Sequence, residues 1–130
     1  MFTHKKNSSN KNMDELSVVA DFLIEDFRFS RSYLSVLDKL FLEERKRYES
    51  AYNFHSTKME ELANKFNLKL AVYKNGDLYD DGYPITPLNA DEFEKEDVLY
   101  IEQMIEPIIL TTDGKVIRQG TAILARKENN

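Results

Sequence analysis

The chain predicts an α+β protein: a long N-terminal helical segment, one helix or two, followed by a small antiparallel β-domain. Three observations carry this. Gly and Pro are absent before Gly76 and Pro84, so the strongest helix breakers are missing from more than half of the 130 residues. From Leu16 to Phe66 apolar residues recur at steps of three and four, or their sums. After Asn67 the pattern changes to short β-forming runs punctuated by Asn75-Gly76 and Asp113-Gly114.

Residues 1–12 are polar and aperiodic, and are expected to form a disordered tail. Asn12 is a candidate N-cap, with Glu15 completing a capping-box pattern. The helical segment spans 13–66. Its main stripe includes Leu16, Ala20, Leu23, Phe27, Leu34, Leu37, Phe41, Tyr48, Ala51, Met59, Leu62 and Phe66, and Val19, Phe22 and Leu40 widen it. Ser30-Arg31-Ser32 offers a possible break. A single straight helix of this length would reach about 80 Å, too far for one small domain to cover. Self-association as a homodimer is the preferred solution, with Leu23, Phe27, Leu34, Leu37, Phe41 and Tyr48 as candidate dimer-interface residues. An internal hairpin is the alternative.

The β-domain is expected over 67–126, with a loose tail at 127–130. Leu68 to Tyr73 reads as a strand and Lys74-Asn75-Gly76-Asp77 as a turn. Residues 79–97 form an acidic loop. Val98 to Leu110 is a strand interrupted by Pro107, which cannot donate to a ladder. Thr112-Asp113-Gly114-Lys115 turns the chain into a last strand, Val116 to Arg126.

Several function classes are excluded by what the residues lack. A net charge of −5 argues against a nucleic-acid groove and against anionic lipid. No apolar run is long enough for membrane insertion, and the polar N-terminus lacks a signal-peptide core, so a cytoplasmic location is expected. With no Cys, there is no thiol chemistry. No phosphate loop, nucleophile motif or metal-ligand spacing is present, so no catalytic residue, metal or cofactor is assigned and the chain is read as not an enzyme. Asp77 and Asp81 lack the alternating ligands of a calcium loop, and the acidic stretch reads as a solvated face or a surface for a basic partner. His55, in the apolar stripe, reads as an interface or core-edge residue, and no Ser has a His nearby in a suggestive pattern. Tyr73, Tyr79, Tyr83, Tyr100, Met104 and Ile105 cluster around turns and strand edges. Tyr100 and Met104 are candidate partner-binding residues, although a small β-domain also needs such side chains as core.

Lys65-Phe66-Asn67-Leu68 at the end of the helical segment, Leu78-Tyr79-Asp80-Asp81, Asp97-Val98-Leu99-Tyr100-Ile101, and Gly114-Lys115-Val116-Ile117-Arg118-Gln119-Gly120-Thr121-Ala122-Ile123-Leu124-Ala125 occur in a characteristic order. Together they resemble the C-terminal half of GrpE, the nucleotide exchange factor of DnaK-type chaperones. The resemblance covers residues 59–126. It departs from the family at Tyr83-Pro84-Ile85-Thr86 and at Glu106-Pro107-Ile108-Ile109. It implies a parallel homodimer, a β-domain that opens the chaperone's nucleotide cleft, and Arg118 at the chaperone-facing surface. The rival reading is a small acidic helical scaffold or secretion-type chaperone that grips a protein client through its helices.

Overall fold

The computed structural model describes residues 4–128, with side chains from Asp14 onward. The chain divides into two compact units, Met1–Lys69 and Leu70–Asn130.

The first unit holds two helices, α1 (His4–Leu37) and α2 (Leu42–Lys65). Helix α1 begins ahead of the Asn12 cap suggested by sequence. The side chains of 4–13 lie outside the described residues, as do residues 1–3 of the expected tail. Helix α1 runs unbroken through Ser30-Arg31-Ser32, and the break falls at Asp38–Phe41 instead. Lys39 and Leu40 donate backbone N–H groups to Val36 and Leu37, tightening the last turn, and Phe41 is extended at φ −64, ψ 152. Helix α2 starts without a side-chain cap, but Glu43 and Glu44 lie in its first turn and Lys65 in its last, each favoured by the helix dipole. The helices fold back antiparallel. Arg45 pairs with Asp38 at 3.1 Å, Tyr33 meets Tyr52 at 6.1 Å between ring centroids, and His55 meets Asp26 at 2.7 Å. The internal hairpin is therefore how this chain covers part of its stripe. Ala20, Leu23, Ser30 and Leu37 of α1 and Ala63 of α2 are buried.

Helix α2 ends in a left-handed cap. Phe66 and Asn67 donate to the carbonyls of Ala63 and Asn64, and Asn67 takes φ 57. Asn tolerates this region better than other side chains bearing a Cβ, so Asn67 can stop the helix where Gly more often does.

Strand β1 (Leu68–Ala71) follows, then β2 (Ile85–Pro87), β3 (Leu99–Glu106), β4 (Ile108–Thr111), β5 (Val116–Arg118) and β6 (Gly120–Arg126). Two three-stranded sheets result, ordered β1-β4-β5 and β2-β6-β3. They are two arms of one bent ribbon. The register continues through the corner, with Glu106 opposite Thr121 on one side and Ile109 opposite Arg118 on the other. Pro107, fully buried, stands at the bend. Gly120 faces it: a Cβ there would lie 2.9 Å from the Glu106 carbonyl and from Met104 Cε. Register shifts between Ile101 and Gln103 and between Met104 and Glu106 add twist to β3.

The stretch expected as a loop over 79–97 contains β2, which pairs parallel to β6, and a single 3-10 turn at Ala90–Glu92. Residues 76–79 line the outer edge of β3: Ile101 donates to the Asp77 carbonyl, and its own carbonyl accepts from Gly76 N–H. That contact covers part of an otherwise open edge. Ile85, Ile101, Met104, Ile108, Ala122 and Leu124 form the core, flanked by half-buried Tyr73, Tyr79, Tyr83 and Phe93. Among the described residues no helix is long and apolar enough to cross a membrane.

Candidate interaction surfaces

The residues expected to bind a partner separate by depth. Arg118 ends β5, half-buried, on the arm of the ribbon beyond the Pro107 corner. Tyr100 is half-buried on β3, opposite Ala125 and bridged to Leu78. Met104 is only 4% exposed and belongs to the core, so its assignment as a partner-binding residue is corrected. The β3 bulges and the close approach of Gly120 turn its thioether inward.

The Tyr residues form a cluster. Tyr73 and Tyr83 stack at 4.5 Å between centroids with planes 8° apart, and Tyr79 meets Tyr83 edge-on at 6.2 Å. Burial raises the Tyr73 phenol above its ordinary pKa, and Tyr83, Asp77 and Asp80 push the same way. Burial also raises Tyr79, helped by Asp81 and Asp80. These rings pack against the core, and their offset and edge contacts are of the kind worth roughly 0.5–1.5 kcal/mol beyond area burial.

On the helical hairpin the expected interface residues also separate. Leu23 and Leu37 are buried within the chain, at 4% and 2% exposure, and have nothing to offer a second copy. Phe27 is half-buried, while Leu34, Phe41 and Tyr48 remain exposed. The hairpin takes part of the main stripe inward and leaves a neighbouring one outside. Val18, Phe22, Phe29 and Val36 of α1 are each more than half exposed, and Phe22, Phe29 and Val36 stand seven residues apart. Of these, sequence reasoning named only Phe22, as a widening residue. The signal for Phe29 and Val36 was the seven-residue step itself.

Between the helices lies a cleft of about 230 Å³ lined by Asp26, Phe29, Ser30, Tyr33, Ala51, Tyr52 and His55. His55 Nε2–H donates to Asp26 Oδ1 across the hairpin at 2.7 Å. Ser30 and His55 therefore share a cleft, a proximity that spacing along the sequence did not reveal. Both lie inside helices, where backbone N–H groups bond to carbonyls one turn back. Such a site has no spare main-chain donors to stabilise an oxyanion. The His55–Asp26 pair acts as a polar clasp across the hairpin, with Phe29, Tyr33 and Tyr52 around it.

In the closing hairpin, Gly114 adopts φ 100, and Thr111 Oγ1 both bonds Asp113 and accepts from Lys115 N–H. The Thr111 hydrogen bond holds the Asp113 carboxyl below its usual range. Among the described residues, no group of three or more His, Asp or Glu side chains is arranged to hold a metal ion.

Comparisons with protein-family models, with curated proteins and with solved structures give no match.

Proposed function

We propose that the protein is a non-enzymatic, GrpE-like co-chaperone or adaptor that acts in the cytoplasm. In this reading the helical hairpin pairs two copies, and the β-unit engages a DnaK-type chaperone or a related partner. The observation that carries it is the closing ribbon. Gly114 turns the chain at φ 100, and Arg118 follows on β5, half-buried, beyond the Pro107 corner. The motif order that resembles GrpE runs through this same stretch, from the left-handed Asn67 cap to β6. The mechanism is a population shift: a partner that binds the open nucleotide cleft more tightly than the closed one speeds release. A differential affinity of about 1–3 kcal/mol would give a 5- to 150-fold effect.

The test is release of a fluorescent nucleotide from a DnaK-type chaperone, followed after mixing with native protein or with Arg118→Ala. Native protein is expected to accelerate release and Arg118→Ala to lose most of the effect, with its thermal unfolding transition retained. No acceleration by native protein rejects the exchange reading. One observation favours a second reading, a chaperone or scaffold that grips a client through its helices: Phe22, Phe29 and Phe54 stand about two-thirds exposed on the hairpin.

A further inference from the structure

We propose that a groove on the β-unit, floored by Pro87, Phe93, Leu99 and Leu124 and rimmed by carboxylates, is a docking site for a basic polypeptide segment carrying an apolar anchor. This does not rest on the co-chaperone reading, because the groove lies on the β3–β6 arm of the ribbon and Arg118 on the other arm.

Charge selects the occupant. Residues 77–97 hold eight carboxylates and one Lys, a net −7 that leaves +2 for the rest of a chain totalling −5. The acidic character of the protein therefore resides in this stretch, and three of its carboxylates, Asp81, Glu94 and Asp97, border the groove with Lys95. Such a rim repels phosphate, nucleic acid and anionic lipid, and it steers Lys- and Arg-bearing chains inward.

The floor demands more than charge. The groove encloses about 640 Å³, within the range of roughly 300–1,000 Å³ usual for ligand sites. Its apolar lining includes half-buried Phe93 and Leu99 and reaches outward to Val98, 52% exposed. A small cation would leave those side chains in water, whereas a passing chain covers them.

The walls are fixed before any partner arrives. The Asn89 side chain donates to the Leu124 carbonyl at 2.9 Å and accepts from Leu124 N–H at 3.0 Å, tying the loop to β6 in both directions. Leu88 N–H bonds the Ala122 carbonyl at 2.9 Å, and Lys127 N–H bonds the Val98 carbonyl at 2.7 Å. Asp97 accepts from Glu94 N–H at 2.8 Å and lies 3.9 Å from Arg126, so it braces the rim, while Asp81 and Glu94 are the exposed acids a ligand would meet. A preformed groove spares the partner the cost of ordering this side of the interface.

The test titrates isotope-labelled full-length protein with three capped peptides of equal length, alternating Lys-Leu, Lys-Ser or Glu-Leu, and follows backbone amide shifts. The Lys-Leu peptide is expected to move amides of residues 88–99 and Leu124, and to bind several-fold more weakly as salt shortens the Debye length. Asp81→Asn with Glu94→Gln should weaken it roughly fivefold or more, and Val98→Ser should also weaken it. All three positions are exposed, so the amide spectrum of each variant should keep its native dispersion. The proposal is overturned if Lys-Ser or Glu-Leu binds as well as Lys-Leu. It is equally overturned if the shifts fall outside the groove, if the double variant binds undiminished, or if no shift appears at millimolar peptide.

Discussion

Of the four glycines, Gly120 has the least room for a side chain. Any Cβ would stand 2.9 Å from the Glu106 carbonyl and 3.0 Å from Ile108 Cγ1, and backbone cannot withdraw as a flexible side chain can. Gly120→Ala should therefore cost about 1–3 kcal/mol, as overpacking does. In a unit of this size that lowers the thermal midpoint by roughly 4–8 °C per kcal/mol, readable by calorimetry. Gly76→Ala makes a useful contrast: its φ of 97 is strained for Ala, but no atom lies within 4 Å of the new methyl. The two glycines differ in how far they could be read from sequence. Gly76 and Gly114 belong to Asn-Gly and Asp-Gly pairs whose turn chemistry is local. Gly120 is required by a strand fourteen residues earlier, which only the folded ribbon brings close. Met104 fails for the same reason, because alternation along β3 is broken by bulges that sequence does not announce.

The elements themselves were legible wherever their cause is local. The Pro107 interruption, the Asp113-Gly114 turn and the end of α2 at Asn67 all fall where residue chemistry puts them. The break between α1 and α2 does not, because Asp38–Phe41 contains neither Gly nor Pro. It forms because folding back buries Ala20, Leu23, Leu37 and Ala63, an advantage outside local propensity. Its one local trace is Glu43-Glu44 at the start of α2. Strand β2 was hidden similarly, since three residues are too few for a pattern. The segment 73–83, which carries the Tyr cluster, yields a pH prediction. Tyr73 and Tyr79 have folded pKa values above the ordinary 10.0, so the fold favours the neutral phenol. Their contribution is complete below pH 10.0 and is lost as pH rises through the raised folded values. Urea midpoints should thus fall between pH 8 and pH 11, and Tyr73→Phe with Tyr79→Phe should narrow that fall. An unchanged difference would show that other groups govern the alkaline loss.

For the molecule as a whole, the hairpin leaves more apolar surface outside than a lone helical pair should carry. Phe22 and Phe29 are 69% and 68% exposed, Val36 is 54%, and Phe41, Leu42 and Phe54 exceed 65%. Burying one such side chain fully yields about 1.5–3 kcal/mol. Several on one face can offset the entropic cost of association, provided the contact reaches the roughly 1,200–2,000 Å² of stable interfaces. A second copy suits this surface, because the stripe Phe22, Phe29, Val36 follows the seven-residue step that lets helices interlock, and a two-fold pairing presents it to itself. The interface is thus expected on this stripe rather than on Leu23 and Leu37, which the hairpin already buries. Light scattering should return twice the chain mass at high micromolar concentration. Phe22→Glu with Val36→Glu should return one chain mass with helical circular dichroism unchanged, since both side chains are more than half exposed and neither lines the cleft between the helices. A native monomer sinks the dimer and leaves the client-gripping reading of the same face. A dimer that survives both substitutions moves the interface off α1. Loss of helicity in the variant would instead mean that these two side chains hold the hairpin together, contrary to their exposure.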